Sequence, residues 1–392
     1  MRKLAIARFA GLVIALALAG IEGTAQQPIP TALVPVRSIQ PPDTPLPSEA
    51  DSARATRFSF IAYGDTRSQV DGLALQPDHG AVVDAMLARI KALASTAFPV
   101  RFVVQSGDAV ASGIDGAQWN VSFSPLIEKL TRAGNVPYFF AAGNHDVALP
   151  PVEATRALGL HNTLAAISRL IPPEGSPRRL NGYPTYAFGY GNLFAIAIDS
   201  NIAADPLQLA WVADQLEHLD RTRYRHVIAF FHHAVFSSGP HGGSSPGPSA
   251  AVVDNIEPPT EAMRNLYLPL FRKHQVRITF AGHDHLFDHW VERYTVAGIG
   301  YRRDDVVSGG GGAPIYTYGG EPAMQQYLAA GEAENVRLSH LMKPGTTAAE
   351  NPHHFVVIQV EGDRLSLEVV GTAAIPYTPY NGRSQIDLND PI

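Results

Sequence analysis

The sequence predicts an α/β fold, because short apolar runs of strand length alternate with segments of helical periodicity. The first apolar run covers residues 58–63 and the next covers 100–105. Between them, apolar side chains from Val82 to Leu93 recur three or four residues apart, as on one face of a helix. No internal repeat is visible, which favours one large domain over an array.

The same pattern continues along the chain. A second helix is predicted over 206–219, between two further apolar runs. A hairpin is predicted near the C-terminus, where Gly362 and Asp363 separate two runs of alternating apolar residues. The remaining predicted strands are 136–141, 194–198, 227–231, 276–280, 355–360 and 365–370. Two excursions from the fold are expected, at about 147–183 and 310–350.

The composition excludes several classes of protein. Of 392 residues, 45% are hydrophobic and 17% are charged, which is too apolar for a disordered chain. The formal net charge is −6 and no Lys/Arg-rich block occurs, so no nucleic-acid-binding surface is expected. The chain contains no cysteine, which excludes disulfides, thiolate metal ligands and thiol nucleophiles.

The N-terminus predicts export. Arg2, Lys3 and Arg8 precede an apolar stretch at 9–21, and small residues follow at 23–25, as in a signal peptide over 1–25. A single membrane anchor is the alternative, but this stretch is shorter than the roughly 20 residues that span a bilayer. We therefore expect a secreted or periplasmic protein without a stable membrane anchor.

The domain limits follow from composition. Residues 26–56 are rich in proline and poor in large apolar groups, which predicts a disordered linker. The folded domain is expected over 57–375, followed by a C-terminal tail over 376–392. The sequence leaves the oligomeric state open.

Polar clusters follow five of the predicted strands. In open α/β sheets the carboxyl ends of the strands meet at one edge, where ligands bind, so these clusters are expected to meet in space. Carboxylate, amide oxygen and imidazole suit a pair of divalent metals, and one carboxylate can bridge the two ions. The clusters are Gly64-Asp65-Thr66-Arg67, Gly107-Asp108, Gly143-Asn144-His145-Asp146, His232-His233 and Gly282-His283-Asp284-His285.

In this order, the motifs resemble those of the calcineurin-like metallophosphoesterases, over about 58–370. The segments 231–233, 237–242 and 309–314 are similar to the purple-acid-phosphatase-like branch. The resemblance implies a four-layer αββα sandwich with a dinuclear metal site at the C-terminal ends of the strands. It also implies two divalent or trivalent ions, with iron, manganese and zinc all compatible. Asp65, Asp108 and His285 would hold the first ion, and Asp108, Asn144, His232 and His283 the second.

The resemblance further implies hydrolysis of a small phosphate-ester substrate by a metal-activated hydroxide. His145 is similar to the residue that protonates or stabilises the leaving oxygen, unless it only packs beside the ligands. Asp146 either orients the His145 ring or caps the turn. His233 is expected to contact a ligand or the substrate, and His241 either contacts substrate or lies exposed in its loop. The remaining candidates, His289, His353 and His354, are interpreted as structural.

Two positions depart from the family pattern. Arg67 stands where most relatives carry a histidine ligand, and a guanidinium offers no lone pair to a metal. Ala111 stands where purple acid phosphatases carry a tyrosine, so no ferric-tyrosinate colour is expected. Arg67 either binds a substrate phosphate or forms a salt bridge with a nearby carboxylate. Weak binding of the first metal is the resulting hypothesis.

Two sequence features favour other functions. Residues 243–247 fit the Gly-x-Ser-x-Gly pattern of serine hydrolases, but Pro246 lacks the N–H that an oxyanion hole needs, which favours a flexible loop. A protein of the same fold that binds metal or phosphate without catalysis is the alternative to an enzyme, and the missing ligand at Arg67 favours it. Phosphomonoesters, nucleotides and phosphodiesters all remain candidate substrates.

Overall fold

The structure is a computed structural model that describes residues 34–67, 75–147, 153–242, 244–246, 252–254 and 256–389. The predicted signal peptide lies outside these residues. The α-helices are α1 Pro77–Leu93, α2 Ser124–Glu128, α3 Asn144–Val147, α4 Glu153–Ile167, α5 Pro206–Glu217, α6 Pro258–Ala262, α7 Leu268–Lys273 and α8 Gln325–Ala330. Shorter π or 3₁₀ turns lie at Gln118–Phe123, Lys129–Ala133, Ser200–Ile202, Met263–Tyr267, Glu332–Glu334 and Ala348–Glu350.

The strands of the described residues form two large sheets and one small hairpin. Those of the first sheet are β1 Arg57–Tyr63, β2 Val100–Gln105, β3 Tyr138–Phe140, β13 His354–Glu361, β14 Arg364–Gly371 and β15 Gln385–Asp387. Those of the second are β4 Tyr186–Tyr190, β5 Leu193–Ala197, β6 His226–His233, β9 Ile278–Gly282, β10 Phe287–Val296, β11 Ile299–Ser308 and β12 Arg337–Met342. The hairpin pairs β7 Ser244–Pro246 with β8 Val252–Asp254.

The first sheet has the order β15-β14-β13-β1-β2-β3. Its β1, β2 and β3 are parallel, and Tyr63 at the end of β1 lies opposite Gln105 at the end of β2. β13 to β15 are added antiparallel, and the expected hairpin joins β13 to β14. The expected C-terminal tail therefore supplies the edge strand β15.

The second sheet has the order β12-β10-β11-β9-β6-β5-β4. Its four central strands, β5, β6, β9 and β11, are parallel, so their carboxyl ends lie at one edge. There His233 pairs with Gly282. Strands β6 and β9 are buried along their whole length, as expected for parallel strands that are covered on both faces.

The two sheets pack face to face through aromatic side chains. Phe60 of β1 meets Phe280 of β9 edge-on at 5.8 Å between ring centroids, and Phe139 stacks on Phe188 at 3.8 Å. Helix α1 packs on the outer face of the first sheet, while α5 and α7 pack on the second. The predicted four-layer αββα sandwich is confirmed.

The proline-rich segment is packed against the domain over residues 34–56. Ile39 is fully buried, and its N–H donates to the carbonyl of Ala166 at 2.9 Å. The N–H of Thr44 donates to Oδ1 of Asn135 at 3.0 Å. A disordered linker therefore does not describe this part of 26–56, because backbone and side-chain oxygens of the domain accept its backbone N–H groups.

Two smaller differences concern local elements. Residues 244–246, interpreted from the sequence as a loop, form the short strand β7. Within the described residues, no helix is both long and apolar enough to cross a membrane.

Candidate metal centre

The candidate centre lies at the carboxyl ends of β1, β2, β6 and β9. Asp65, Asp108 and His283 each follow one of these strands closely and have a left-handed backbone, with φ of 60°, 57° and 71°. This conformation is uncommon for residues other than glycine and is concentrated at functional sites. It turns the chain sharply at the sheet edge, so that the three side chains face one another.

Two glycines allow this close approach. Gly107 has φ of 102°, and a Cβ there would lie 2.6 Å from the backbone N of Gly143. A Cβ on Gly282 would lie 2.0 Å from Oδ2 of Asp65. The glycines that precede the polar residues are therefore required by the space between the loops.

A first donor group consists of Asp65, Asp108 and His285. Their ligand-type atoms lie within 4.8 Å of one another, and all three residues are buried. The His285 Nε2 is 3.6 Å from Oδ1 of Asp65. The Nδ1–H of His285 donates to the carbonyl of Pro314 at 2.7 Å, which leaves the Nε2 lone pair facing the carboxylates.

A second donor group consists of Asp108, Asn144, His232 and His283. The His232 Nε2 lies 2.8 Å from Oδ1 of Asn144, 3.1 Å from Nδ1 of His283 and 3.3 Å from Oδ1 of Asp108. The Nδ1–H of His232 donates to the carbonyl of Ser106 at 3.0 Å. Its Nε2 lone pair is thereby aimed at the other three donors, the arrangement typical of metal-binding histidines.

Electrostatics prepare these donors for a cation. Burial lowers the pKa of His232 to about 3 and that of His285 to about 3, so both imidazoles are neutral at physiological pH. Burial and repulsion from Asp108 raise the pKa of Asp65 well above its usual value. A positive charge between the two carboxylates would remove this penalty. The oxygen and imidazole donors of the second group fit a metal ion such as iron, manganese or zinc.

His145 lies beside Asp108. Its Nδ1–H donates to the carbonyl of Ala111 at 2.8 Å, and its Nε2 is 3.9 Å from Oδ2 of Asp108. Its side chain is 23% exposed, so His145 is partly accessible to solvent at the edge of the centre.

The Asp146 carboxylate holds the surrounding loops together. It accepts backbone N–H groups from Asp108 at 2.8 Å, Ala109 at 2.9 Å and Gly143 at 2.8 Å. The alternative in which Asp146 orients the His145 ring does not describe the structure, since that ring is fixed by Ala111. The alternative in which Asp146 caps the turn describes the structure, and Asp146 acts by fixing the backbone of Asp108.

His233 is buried behind the donor groups. Its Nδ1 lies 2.8 Å from Oγ of Ser200, and its ring lies 4.5 Å from that of His283. It therefore contacts His283, a member of the second donor group. The substrate-facing alternative does not fit, because only 2% of His233 is exposed. The structural interpretation of His289 agrees with its full burial between Asp304 and Tyr380.

Glu257 is a feature that the sequence motifs did not indicate. Its Oε2 accepts from Nε2 of His283 at 2.8 Å, and its Oε1 accepts from Nδ1 of His241 at 2.8 Å. The His241 ring, 4.1 Å from that of His283, is 32% exposed, which places His241 at the rim of the centre. Glu257 precedes a short helix and belongs to no motif, so only a spatial view reveals it.

Tyr316 was also missed. Its ring stacks on His285 at 4.1 Å with an interplanar angle of 17°. It follows the glycine-rich segment 309–312, and nothing in the sequence there predicts a contact with His285.

Arg67 contacts two members of the first donor group. Its Nε donates to Oδ2 of Asp108 at 3.3 Å, and its Nη2 lies 3.4 Å from Nε2 of His285. The salt-bridge alternative therefore describes Arg67 in this structure. The first donor group as found does not fit a metal ion, because a guanidinium already faces two of its three donor atoms.

Comparison with known proteins identifies the family of the chain. The family model described as calcineurin-like phosphoesterase matches residues 74–287, more than half of the chain. The chain belongs to the calcineurin-like phosphoesterase family, whose members are phosphoester hydrolases with dinuclear metal sites. The search of curated proteins finds no match.

Similar solved structures include purple acid phosphatase PPD1 from yellow lupin (Lupinus luteus) seeds, with a TM-score of 0.56 and 16% identity. The alignment covers 86% of this chain and 54% of the lupin protein, so the chain spans about half of its length. GAP50, the anchor in the inner membrane complex of Plasmodium, has a TM-score of 0.46 and 14% identity, covering 82% of this chain and 86% of GAP50. The lupin likeness supports the fold.

Proposed function

We propose that this chain is an exported, metal-dependent hydrolase of small phosphate esters. The observation that carries the proposal is the convergence of Asp108, Asn144, His232 and His283 at the carboxyl edge of the sheets. Asp108, Asn144, His232 and His283 would hold a metal ion there, which would supply Lewis-acid stabilisation of a phosphoryl oxygen and a more acidic water.

The residues of the chain prepare this site before a substrate arrives. His232 and His283 present lone pairs because their other ring nitrogens donate to Ser106 and Glu257. Asp108 and Asn144 add hard oxygen donors that suit a divalent or trivalent ion. Preorganised donors of this kind need no rearrangement during the reaction.

Two histidines are our candidates for assisting the leaving group. His145 directs Nε2 toward the centre while Nδ1 donates to Ala111. Burial alone would lower the pKa of His241, but the Glu257 carboxylate raises it above its usual value. Either histidine, as an imidazolium, can donate a proton to the departing oxygen.

Hydrolysis of p-nitrophenyl phosphate and bis-p-nitrophenyl phosphate tests the function. Purified protein without residues 1–25 is assayed with added manganese, zinc or iron, next to Asn144→Ala. We expect metal-dependent turnover in the wild type and a loss of at least about 100-fold in the variant, since Asn144 supplies one of four donors. The preferred ester, compared with a 5′-nucleotide, distinguishes monoesterase, diesterase and nucleotidase.

Asn181→Ala is the matched control, because Asn181 lies in an exposed loop and accepts only a local N–H from Gly175. Its turnover is expected to equal that of the wild type. Folded, metal-loaded protein without turnover on any of these esters would support the non-catalytic binding alternative instead.

Export is the second part of the proposal and rests on the N-terminal pattern of basic residues, apolar stretch and small residues over 1–25. Expression in a bacterial host is expected to yield a mature chain in the periplasm or medium. N-terminal sequencing of that chain checks the cleavage, and an intact Met1 on cytoplasmic protein would contradict export.

A further inference from the structure

We propose that the Arg67 guanidinium takes the place of the first metal ion, so that the chain binds one metal ion, through the second donor group. The inference rests on the proposed function in so far as that function assigns a metal ion to the second group. This differs from the dinuclear arrangement of the family, because the Arg67 side chain supplies the positive charge that the first metal ion supplies in relatives.

The geometry carries this inference. The Arg67 Nε donates to Oδ2 of Asp108 at 3.3 Å, and Nη2 lies 3.4 Å from Nε2 of His285. These are two of the three donor atoms of the first group. Since Nδ1 of His285 already donates to Pro314, its Nε2 has one lone pair, which cannot accept an N–H and coordinate a cation at once.

The position of Arg67 is set by its backbone. The N–H groups of Thr66 and Arg67 both donate to the carbonyl of Asp108, at 2.9 and 3.0 Å. The side chain is only 14% exposed. The guanidinium is thus held against the Asp108 carboxylate by the loop that carries it.

Charge favours the same arrangement. Asp65 and Asp108 place two buried carboxylates in the first donor group, and the guanidinium compensates one of them permanently. An additional divalent ion in the same group would lie beside this fixed positive charge in a buried setting, where repulsion between like charges is strong. The group also offers three protein donors, one fewer than the second group.

Metal content measures this directly. Wild-type protein is equilibrated with excess manganese or zinc, freed of unbound ion, and analysed by mass spectrometry of the elements. We expect one ion per chain in the wild type and two in Arg67→His, which removes the guanidinium and adds a donor. Arg67→Ala is expected to bind a second ion more weakly than Arg67→His, as seen in a calorimetric titration.

Electron paramagnetic resonance of the manganese forms gives a second readout. The wild type is expected to show the six-line signal of an isolated ion, and Arg67→His the broadened signal of two coupled ions. Arg57→Ala, which removes an exposed arginine paired with Glu361, is the control and is expected to bind one ion.

Asn144→Ala identifies the group that is filled, and its metal content is expected to fall to none. Two ions in the wild type would overturn the inference, and so would none. An unchanged count of one in both Arg67 variants would overturn it too. If the counts are as expected but no ester is hydrolysed, the proposed function fails while the inference stands.

Discussion

At the residue scale, Glu257 contacts two imidazoles that face the centre. Its hydrogen bond from Nε2 fixes His283 in the tautomer whose Nδ1 lone pair faces the second donor group. Burial alone would raise the pKa of Glu257, but hydrogen bonds from His241 and His283 lower it far below its usual value. The carboxylate is therefore ionised at neutral pH, and it places a negative charge behind the His283 ring.

Replacing Glu257 by Gln is expected to weaken metal binding about 10- to 100-fold, because a neutral amide orients His283 but removes the negative charge behind its ring. The measurement is the Kd for manganese or zinc from isothermal titration calorimetry. Glu261→Gln is the matched control, since Glu261 is an exposed carboxylate one helical turn away, and its Kd is expected to equal that of the wild type. Equal affinity in both variants would show that Glu257 does not act through His283.

Much of the donor set was predictable because its members directly follow the apolar runs that form strands. Asp65, Asp108 and His283 follow apolar strands at one sheet edge, so their convergence follows from topology. The contacts of Glu257 and Tyr316 were not predictable, because both residues approach the centre from loops without a motif. The hydrogen bonds of Asp146 to three backbone N–H groups likewise depend on loop conformation, which residue identity does not reveal.

At the element scale, the apolar runs identified the buried strands well. β1, β2, β6 and β9 agree with prediction to within a few residues, since strands covered on both faces consist of continuous apolar sequence. Helix α1 was predicted by the spacing of its buried face.

The long pair β10–β11 was missed for a physical reason. Its sequence is rich in charged residues, which in a single sequence indicate an exposed segment. In the structure most of these charged residues are buried, and their ion pairs form both between the two strands and within β11. Arg303 is fully buried and donates to Glu292 at 2.6 Å and to Asp305 at 2.8 Å. These ion pairs give each buried charge a partner. The charged residues nevertheless interrupt the apolar alternation by which a strand is predicted from sequence.

At the scale of the whole molecule, residues 34–56 connect parts of the fold that are distant in sequence. Ile39 donates its N–H to Ala166, while Glu49 pairs with Arg178 and accepts from Tyr224. Proline restricts the unfolded chain, so an extended segment of this kind loses less conformational entropy on docking than its length suggests. Low apolar content therefore did not prevent this segment from packing on the domain.

If the segment contributes to stability, Ile39→Ala lowers the free energy of unfolding by about 2–5 kcal/mol, the usual cost of truncating a fully buried isoleucine. Urea denaturation of the mature chain measures this, with the slope of the transition unchanged. Val34→Ala is the control, because Val34 is 48% exposed and its truncation is expected to change stability by less than about 0.5 kcal/mol. Equal stability of the two variants would mean that 34–56 does not pack on the domain in solution. A large difference would make this segment part of the folding unit, so that removing 26–56 along with 1–25 would destabilise the sheets that carry the metal centre.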